Sequence, residues 1–390
     1  MCLCPHNPFT SNMPPVRYSR SAVSWIDADR WASHMTEPYL RIGRVNHYSE
    51  SMFTVQGHGV HTALLTLTAA QKKLGVPVEI NARHSDSILH VHSAGPLALR
   101  RLRRHDGVKV ISAHVTPATF PGSVIGAEKL AHATERYMRF LFNQGDLVIA
   151  VSDTVATELR EIGVTSRIKV IPNGVDATKF AGRAPSREQA RESLGLPPQK
   201  TIVLAVGQLQ PRKGVQTFIE AARLLPDVEF LWVGGSLFGA LSADRRKLKQ
   251  AMAATPPNVT FTGLVEHSEI PKLLRAADIF MFPSHQETFG LAPVEAALAG
   301  LPLVLSDLPV FSEIFASRET SYLPATTVAE YVKAITSLTT STELRETLGR
   351  RARAVGLAYD ADRIARMTMT AYLEELDQLP SRQCSRPKAV

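Results

Sequence analysis

Short apolar runs alternate with amphipathic segments along this chain, and the alternation occurs in two successive blocks. Runs such as Ile202–Val206 and Ile279–Pro283 are continuously apolar, which is typical of strands buried on both faces of a parallel sheet. Segments such as Val60–Leu74 place their leucines on one side and stop before a glycine, which predicts helices that cover such a sheet. The pattern therefore predicts an α/β protein with doubly wound sheets.

The alternation is interrupted once, at residues 182–200, by a polar stretch that contains three prolines. We place a domain boundary there, between a Rossmann-like domain at 41–185 and a second one at 186–365. Open α/β sheets bind ligands outside the carboxyl ends of their strands. Two such domains facing one another predict a ligand site in the cleft between them.

The two ends of the chain are predicted to lie outside these domains. Residues 1–40 are rich in proline, serine and arginine and lack periodicity, so we interpret them as a disordered leader. Residues 366–378 are predicted to form a C-terminal helix that packs back on the first domain. Residues 379–390 are interpreted as a tail.

Composition favours a globular protein of the cytoplasm. Apolar residues make up 44% of the chain and charged residues 21%, which is ordinary for such proteins. The apolar runs stay below the ~18 residues that would suggest a membrane span. The cysteines, Cys2, Cys4 and Cys384, lie near the ends and cannot staple a fold, which fits a reducing compartment.

Positive charge is concentrated in the first domain. The formal net charge is +8, and most of the excess falls in residues 43–190. Such a patch suits an anionic membrane surface or a phosphate-rich ligand, whereas the alternative is a solvated helix face. The patch lacks interleaved aromatic residues, so we do not expect nucleic acid as a partner. Its densest part comprises Arg100, Arg101, Arg103, Arg104, His105 and Lys109.

A polar loop, Ser284–Gly290, connects a predicted strand directly to a predicted helix. Helix N-termini offer unpaired N–H groups that favour an anion such as a pyrophosphate, and Gly290 allows close approach of backbone. Glu287 lies in this loop and Glu295 lies in the helix. Two carboxylates so placed are candidates for binding hydroxyls of an extended ligand. The alternative is that Glu295 is a first-turn acid stabilised by the helix dipole.

A second loop, Gly207–Gly214, follows the strand at Ile202–Val206 and carries two adjacent cations, Arg212 and Lys213. These side chains could neutralise a departing diphosphate. The glycine spacing differs from that of a Walker loop. The alternative is a solvated pair at a helix start, although cations there oppose the helix dipole, which slightly favours a bound anion.

The first domain contributes weaker candidates. Gly57 and Gly59 follow its first strand, and His114 ends a later one. His90 and His92 are two candidate zinc ligands, but the sequence shows no third. A histidine at a strand end is more often structural than functional.

Two Asp-x-Asp patterns resemble the metal-binding motif of metal-dependent sugar transferases. The first, Asp27–Asp29, lies in the predicted leader, and the second, Asp360–Asp362, is typical of a helix N-cap. We discount both, and we expect neither a metal nor another cofactor.

Taken together, these motifs resemble the family 4 retaining glycosyltransferases, which have the GT-B fold of two Rossmann-like domains facing a cleft. The resemblance covers about residues 41–378. It rests on Glu287 and Glu295 around Phe289-Gly290, on Arg212-Lys213-Gly214, and on Asn173-Gly174-Val175-Asp176 before the linker. Thr288 departs from the glycine that many members have.

The resemblance implies a role for each candidate residue. Arg212 and Lys213 would hold the donor diphosphate, Glu287 the donor sugar and Glu295 the ribose, while His114 would lie near the transferred sugar. The implied catalytic residues are His114, Glu287, Arg212 and Lys213. The implied donor-binding residues are Gly57, Gly59, Gly207, Arg212, Lys213, Glu287, Thr288, Phe289, Gly290 and Glu295.

Three segments, at 50–54, 113–123 and 208–214, are similar to bacterial enzymes that glycosylate diacylglycerol or a glycolipid built on it. We therefore expect a UDP-hexose donor, a lipid acceptor, and a cytoplasmic enzyme peripheral to the inner face of the membrane. Two alternatives remain open at this point. One is a sugar-nucleotide 2-epimerase, and the other is a non-catalytic protein that binds a nucleotide-sugar or an anionic lipid.

Overall fold

A computed structural model describes residues 38–50, 59–83, 87–119, 131–181, 185–235, 252, 254–315 and 321–385, all of which belong to one compact unit, Thr36–Val390. The predicted leader lies outside the described residues except for its last three positions. Gly57 and Asp27–Asp29 also lie outside them.

The first half forms a six-stranded parallel sheet in the order β2-β1-β3-β4-β5-β6. The strands are β1 Val45–Tyr48, β2 Val78–Ile80, β3 Ile88–Val91, β4 Val108–Ala113, β5 Leu147–Ala150 and β6 Arg167–Val170. The helices described here are α1 Gly59–Lys73, α2 Pro96–Arg104, α3 Ala131–Phe142, α4 Asp153–Glu161 and the short α5 Thr178–Ala181.

The second half forms another six-stranded parallel sheet, in the order β12-β11-β10-β7-β8-β9. Its strands are β7 Ile202–Val206, β8 Glu229–Val233, β9 Val259–Phe261, β10 Ile279–Phe282, β11 Leu303–Ser306 and β12 Tyr322–Ala325. Its described helices are α6 Arg187–Ser193, α7 Val215–Leu224, α8 Ile270–Ala276, α9 Leu291–Leu298, α10 Pro309–Phe315, α11 Val328–Thr340 and α12 Thr342–Gly356.

Successive residues of the central strands contribute to cores on opposite faces of each sheet. In β7, Ile202 and Leu204 belong to one buried cluster, whereas Val203 and Ala205 belong to another. Because strand side chains alternate between faces, a strand buried on both sides must be apolar throughout. This explains the continuous apolar runs. One of the clusters includes residues of both sheets, so the two halves share a core.

The last helix, α13 Ala361–Ser385, returns to the first half. Its buried residues Ile364, Met369 and Tyr372 pack with strand residues such as Val45 and Ile88. The helix begins at Ala361 rather than at residue 366, so the chain crosses between the halves earlier than the predicted boundary. The crossing segment is held by a parallel bridge between Val175 and Asp360.

The Asn-Gly turn before the linker supports this crossing. A Cβ atom on Gly174 would lie 2.9 Å from the Cα of Ala361, so only glycine allows the turn to approach the start of α13 this closely. The backbone N–H of Val175 donates to the carbonyl of Tyr359 at 2.9 Å. The family motif at 173–176 thus joins the linker to the returning C-terminal segment.

None of the described helices combines the length and the apolar character that a membrane span requires.

Candidate active site

The cation-bearing loop packs against the end of a neighbouring strand. Gly214 adopts φ +73°, and a Cβ atom there would lie 1.9 Å from the carbonyl oxygen of Pro283, directly after β10. The backbone N–H of His285 donates to the carbonyl of Arg212 at 2.7 Å. These contacts bring together the two loops that the sequence pattern singled out, because both follow adjacent parallel strands.

A nearly buried ion pair links these loops. Lys213 Nζ lies 2.5 Å from Glu287 Oε1, and the two side chains are 13% and 8% exposed. Burial alone would raise the pKa of Glu287, but the charges of Lys213 and Arg212 lower it below its usual range. Burial lowers the pKa of Lys213, and the charge of Glu287 opposes this. The carboxylate is therefore ionised at neutral pH.

Arg212 adds a second cation beside this pair. Its Nε donates to Gln210 Oε1 at 2.9 Å, and its Nη1 donates to the carbonyl of Gln286 at 3.4 Å. Two cations and one carboxylate leave one positive charge on the three groups. An arginine held by neutral acceptors keeps its charge available for an anion, which suits a diphosphate.

Thr288 connects this site to the first half of the molecule. Its hydroxyl donates to the carbonyl of His114 at 3.0 Å, and its own carbonyl accepts from the Ser152 hydroxyl at 2.8 Å. Gly59, which starts α1, also faces the second half, since a Cβ atom there would lie 3.9 Å from Leu291 Cδ1. The structure thus brings His114 and Gly59 to the same interdomain contact.

Phe289 and Gly290 contribute backbone rather than side chains to this region. The Phe289 ring is buried and packs edge-on against Tyr359 with ring centroids 5.5 Å apart. Gly290 adopts φ +90°, and a Cβ atom there would lie 2.9 Å from the ring of Phe311. Glycine is therefore required where the loop enters α9, and it leaves the first N–H groups of that helix without a side-chain cap.

Glu295 is not a first-turn acid, so that alternative is wrong. α9 begins at Leu291, and its first turn contains no acidic residue. The Glu295 side chain is 5% exposed and lies 2.8 Å from His267 Nε2, which belongs to the segment after β9. The sequence pattern did not identify His267. A buried carboxylate whose partner among the described residues is a histidine remains a candidate for binding hydroxyls.

The chain matches two families over most of its described length. Residues 186–355 match the glycosyl transferases group 1, and residues 78–179 match the glycosyltransferase family 4. Arg212, Lys213, Glu287 and Glu295 fall within the first match, and His114 falls within the second. The chain belongs to the family 4 glycosyltransferases.

Two curated relatives of this glycosyltransferase act on lipids according to their names. One is the alpha-galactosylglucosyldiacylglycerol synthase of Streptococcus pneumoniae, 28% identical over 341 residues, which are 84% of this chain and 89% of the relative. The other is the processive diacylglycerol alpha-glucosyltransferase of Acholeplasma laidlawii, 25% identical over 275 residues, which are 70% of this chain and 81% of the relative.

Solved structures confirm the GT-B fold. The sucrose-phosphate synthase of Thermosynechococcus elongatus has a TM-score of 0.74 at 19% identity and matches 86% of this chain and 99% of its own. Anabaena HepE in complex with UDP and glucose has a TM-score of 0.70 at 20% identity, covering 84% of this chain and 99% of its own.

The second Asp-x-Asp pattern of this glycosyltransferase has a structural role, as predicted. Asp360 Oδ2 accepts from the backbone N–H of Asp362 at 3.1 Å at the start of α13. Asp362 forms an ion pair with Lys73 of α1. Asp360 therefore caps the start of the C-terminal helix, and Asp362 holds that helix against the first half.

Within the densest part of the predicted basic patch, the exposed cations are three arginines of α2. Arg100, Arg103 and Arg104 are exposed, whereas His105 is buried. Arg101 instead lies over the ring of Tyr48, 4.6 Å from its centroid. A helix that presents three arginines beside exposed Leu97 combines positive charge with apolar area.

The histidines of the glycosyltransferase form a cluster that sequence reasoning missed. His47 joins His90 and His92, and one ring nitrogen from each of the three lies within 4.8 Å of the other two. All three side chains are buried. His47 lies beside His90 because β1 pairs with β3 in this register. The sequence alone does not reveal strand register, so it did not identify His47.

Proposed function

We propose that this glycosyltransferase transfers a hexose from a UDP-hexose, with retention of anomeric configuration, to a hydroxyl group of a membrane lipid or glycolipid. The observation that carries the proposal is the Lys213–Glu287 ion pair beside Arg212, at the carboxyl ends of two adjacent strands. It provides two cations for a diphosphate and one carboxylate for sugar hydroxyls.

The ion pair also suggests how donor binding would rearrange the site. A diphosphate carries more charge than one carboxylate, so it would compete with Glu287 for Lys213. The released carboxylate could then accept hydrogen bonds from sugar hydroxyls. During transfer, the bond between the anomeric carbon and the diphosphate breaks, and the acceptor oxygen bonds to that carbon on the same face. The hydroxyl proton passes to the leaving diphosphate, and Arg212 and Lys213 stabilise the charge that develops on this leaving group.

The nature of the donor is supported by related proteins. HepE has been solved with UDP and glucose and with UDP-glucose. The names of both lipid-directed relatives specify alpha products. Because UDP-glucose carries its sugar in α linkage, an α product from such a donor means retention. We also propose donor binding for Glu295, His114 and the backbone around Phe289, because the resemblance to the family implies it.

The lipid acceptor is supported by those two names and by α2. Exposed Arg100, Arg103 and Arg104 suit an anionic lipid surface, where each cation contributes about 1 kcal/mol. We therefore propose peripheral association with the cytoplasmic leaflet. We also propose that transfer needs no metal and no other cofactor, since the site supplies its own cations.

Product analysis tests this proposal. The purified protein is incubated with UDP-glucose or UDP-galactose and with vesicles that contain diacylglycerol or a monoglycosyl diacylglycerol. We expect a lipid product whose anomeric proton coupling indicates an α linkage, and none from the Glu287→Gln variant. A 2-epimerised sugar nucleotide formed without acceptor would establish the epimerase, and binding without any product would establish the non-catalytic alternative.

The base of the donor is tested by thermal shifts with UDP, GDP and ADP. A ligand at 100 times its dissociation constant stabilises the protein by about 2.7 kcal/mol. We expect a shift with UDP that is lost in the Lys213→Ala variant. A larger shift with GDP or ADP would reassign the base.

A further inference from the structure

Seven side chains form one continuous hydrogen-bonded chain that runs from His114 into the core of the first half. His47, His90 and Ser112 belong to strands, and His92 and His114 directly follow strands. Gln71 comes from α1 and Tyr372 from α13. In order, the contacts are His114 Nε2 to His92 Nδ1 at 3.0 Å, His92 Nε2 to His47 Nδ1 at 2.8 Å, His47 Nε2 to Gln71 Oε1 at 2.7 Å, Gln71 Nε2 to Tyr372 OH at 3.4 Å, Tyr372 OH to His90 Nδ1 at 2.6 Å, and His90 Nε2 to Ser112 Oγ at 2.8 Å.

The imidazole rings inside this chain are neutral at physiological pH. Burial lowers the pKa of His47 to about 4. Burial and the neighbouring histidines lower the pKa values of His90 and His92 well below their ordinary range. A neutral imidazole has one N–H donor and one acceptor nitrogen. Each ring therefore accepts a hydrogen bond at one nitrogen and donates one at the other, so the direction of one bond fixes the direction of the next.

Gln71 sets this direction because its amide has different groups at its two ends. Its oxygen contacts His47, so His47 Nε2 must donate. His47 Nδ1 is then the acceptor for His92 Nε2–H, and His92 Nδ1 is the acceptor for His114 Nε2–H. On the other side, the Gln71 amide donates to Tyr372. All bonds thus point away from His114.

We propose that Gln71, acting through His47 and His92, holds His114 in the neutral Nε2–H tautomer, so that Nδ1 is the ring's acceptor for a hydroxyl of the substrate. Gln71, His47 and His92 are then positioning residues. Only the final step, contact with a substrate hydroxyl, rests on the proposed function. The tautomer itself is a property of the ligand-free protein.

The same cluster is not favoured as a zinc site. Zinc–imidazole bonds are about 2.0–2.1 Å long and use nitrogens without protons. Here all six ring nitrogens of His47, His90 and His92 already contact a hydrogen-bonding partner. One partner of His47 and both partners of His92 are themselves histidines. A metal would have to displace these bonds. Metal binding is therefore an outcome that the experiment below distinguishes.

The tautomer is measured by NMR on protein labelled with ¹⁵N-histidine, with His114→Gln used to assign the His114 ring. We expect a protonated Nε2 and an unprotonated Nδ1 on His114. Gln71→Met should lose this preference and populate both tautomers, whereas Gln71→Glu retains an acceptor for His47 and should restore it. Ser112→Ala, which removes a buried partner of His90 only, should leave the His114 signals unchanged.

Turnover gives the second readout on the same variants. We expect kcat to fall about tenfold in Gln71→Met with the donor KM little changed, and to recover in Gln71→Glu. A protonated Nδ1 on His114 in the wild type, or identical spectra in Gln71→Met and wild type, would overturn the proposal. Ring shifts that change on addition of Zn²⁺ and revert with EDTA would establish the metal site instead. If NMR shows the expected tautomer but neither the wild type nor any variant turns over, the proposed function is contradicted and the proposed tautomer is not.

Discussion

Acidification should destabilise this protein through its buried histidines. The perturbation is a change from pH 7 to pH 5, applied to the wild type and to a His47→Gln variant. His47 is fully buried and bonded to Gln71 and His92. Its ordinary pKa of 6.5 is lowered to about 4 by burial.

The sign follows from the direction of this shift. Because the pKa is lower in the folded protein, the unfolded chain binds more protons between pH 4 and pH 6.5. The contribution of His47 to the free energy of unfolding is therefore complete above pH 6.5 and is lost as the pH falls to 4. At about 1.36 kcal/mol per pH unit the full loss is about 3 kcal/mol, of which about 2 kcal/mol is lost by pH 5. The pKa values of His90 and His92 are also lowered by burial, so these residues add to the loss of unfolding free energy on acidification.

Urea denaturation followed by far-UV circular dichroism measures this effect. We expect the wild type to lose about 2 kcal/mol more than His47→Gln between pH 7 and pH 5. Because the comparison uses the change in unfolding free energy with pH, the pH-independent cost of the substitution cancels. The opposing effect of Glu313, whose carboxyl pKa is raised by burial, is present in both proteins and cancels as well. His132→Gln, at an exposed position, should keep the wild-type slope. Equal slopes for the wild type and His47→Gln would refute the assignment of a buried neutral imidazole.

Three further outcomes are expected. Glu287→Gln and Lys213→Ala should each lower turnover at least ~100-fold, because each removes a charged group that we propose contacts the reacting donor. Near-normal kcat/KM in a folded variant would exclude that residue from the site. Treatment with EDTA should leave activity intact, and full loss that Mg²⁺ or Zn²⁺ restores would show a metal requirement. Replacing Arg100 and Arg103 by glutamate should weaken binding to vesicles of anionic lipid in sedimentation assays, more at low salt than at high salt, whereas Arg350→Glu in the second half should not.

Most of the fold was predictable because buried parallel strands have a simple pattern. β7 and β10 are apolar at every position, and each is followed by a polar loop and a helix. β12 was not predicted, since it contains Pro324 and lies at the edge of its sheet, where a missing N–H donor is tolerated. The early start of α13 at Ala361 depends on a bridge between Val175 and Asp360, which no local pattern reveals.

The candidate site was predictable to a smaller extent. Arg212, Lys213 and Glu287 stand out because they follow strand ends, and adjacent strands bring such ends together. His47 and His267 did not stand out, because their partners are distant in sequence and are selected by strand register and loop packing. These are tertiary contacts, and periodicity carries no information on them.

Thr288 links the two parts of this site, although it departs from the glycine common at its position. Its hydroxyl binds the carbonyl of His114, and the preceding residue, Glu287, pairs with Lys213. A movement of this loop that repositions Glu287 must therefore also act on the backbone of His114. Glycine lacks this hydroxyl. Thr288 thus supplies a direct hydrogen bond from the loop that carries Glu287 to the backbone of His114.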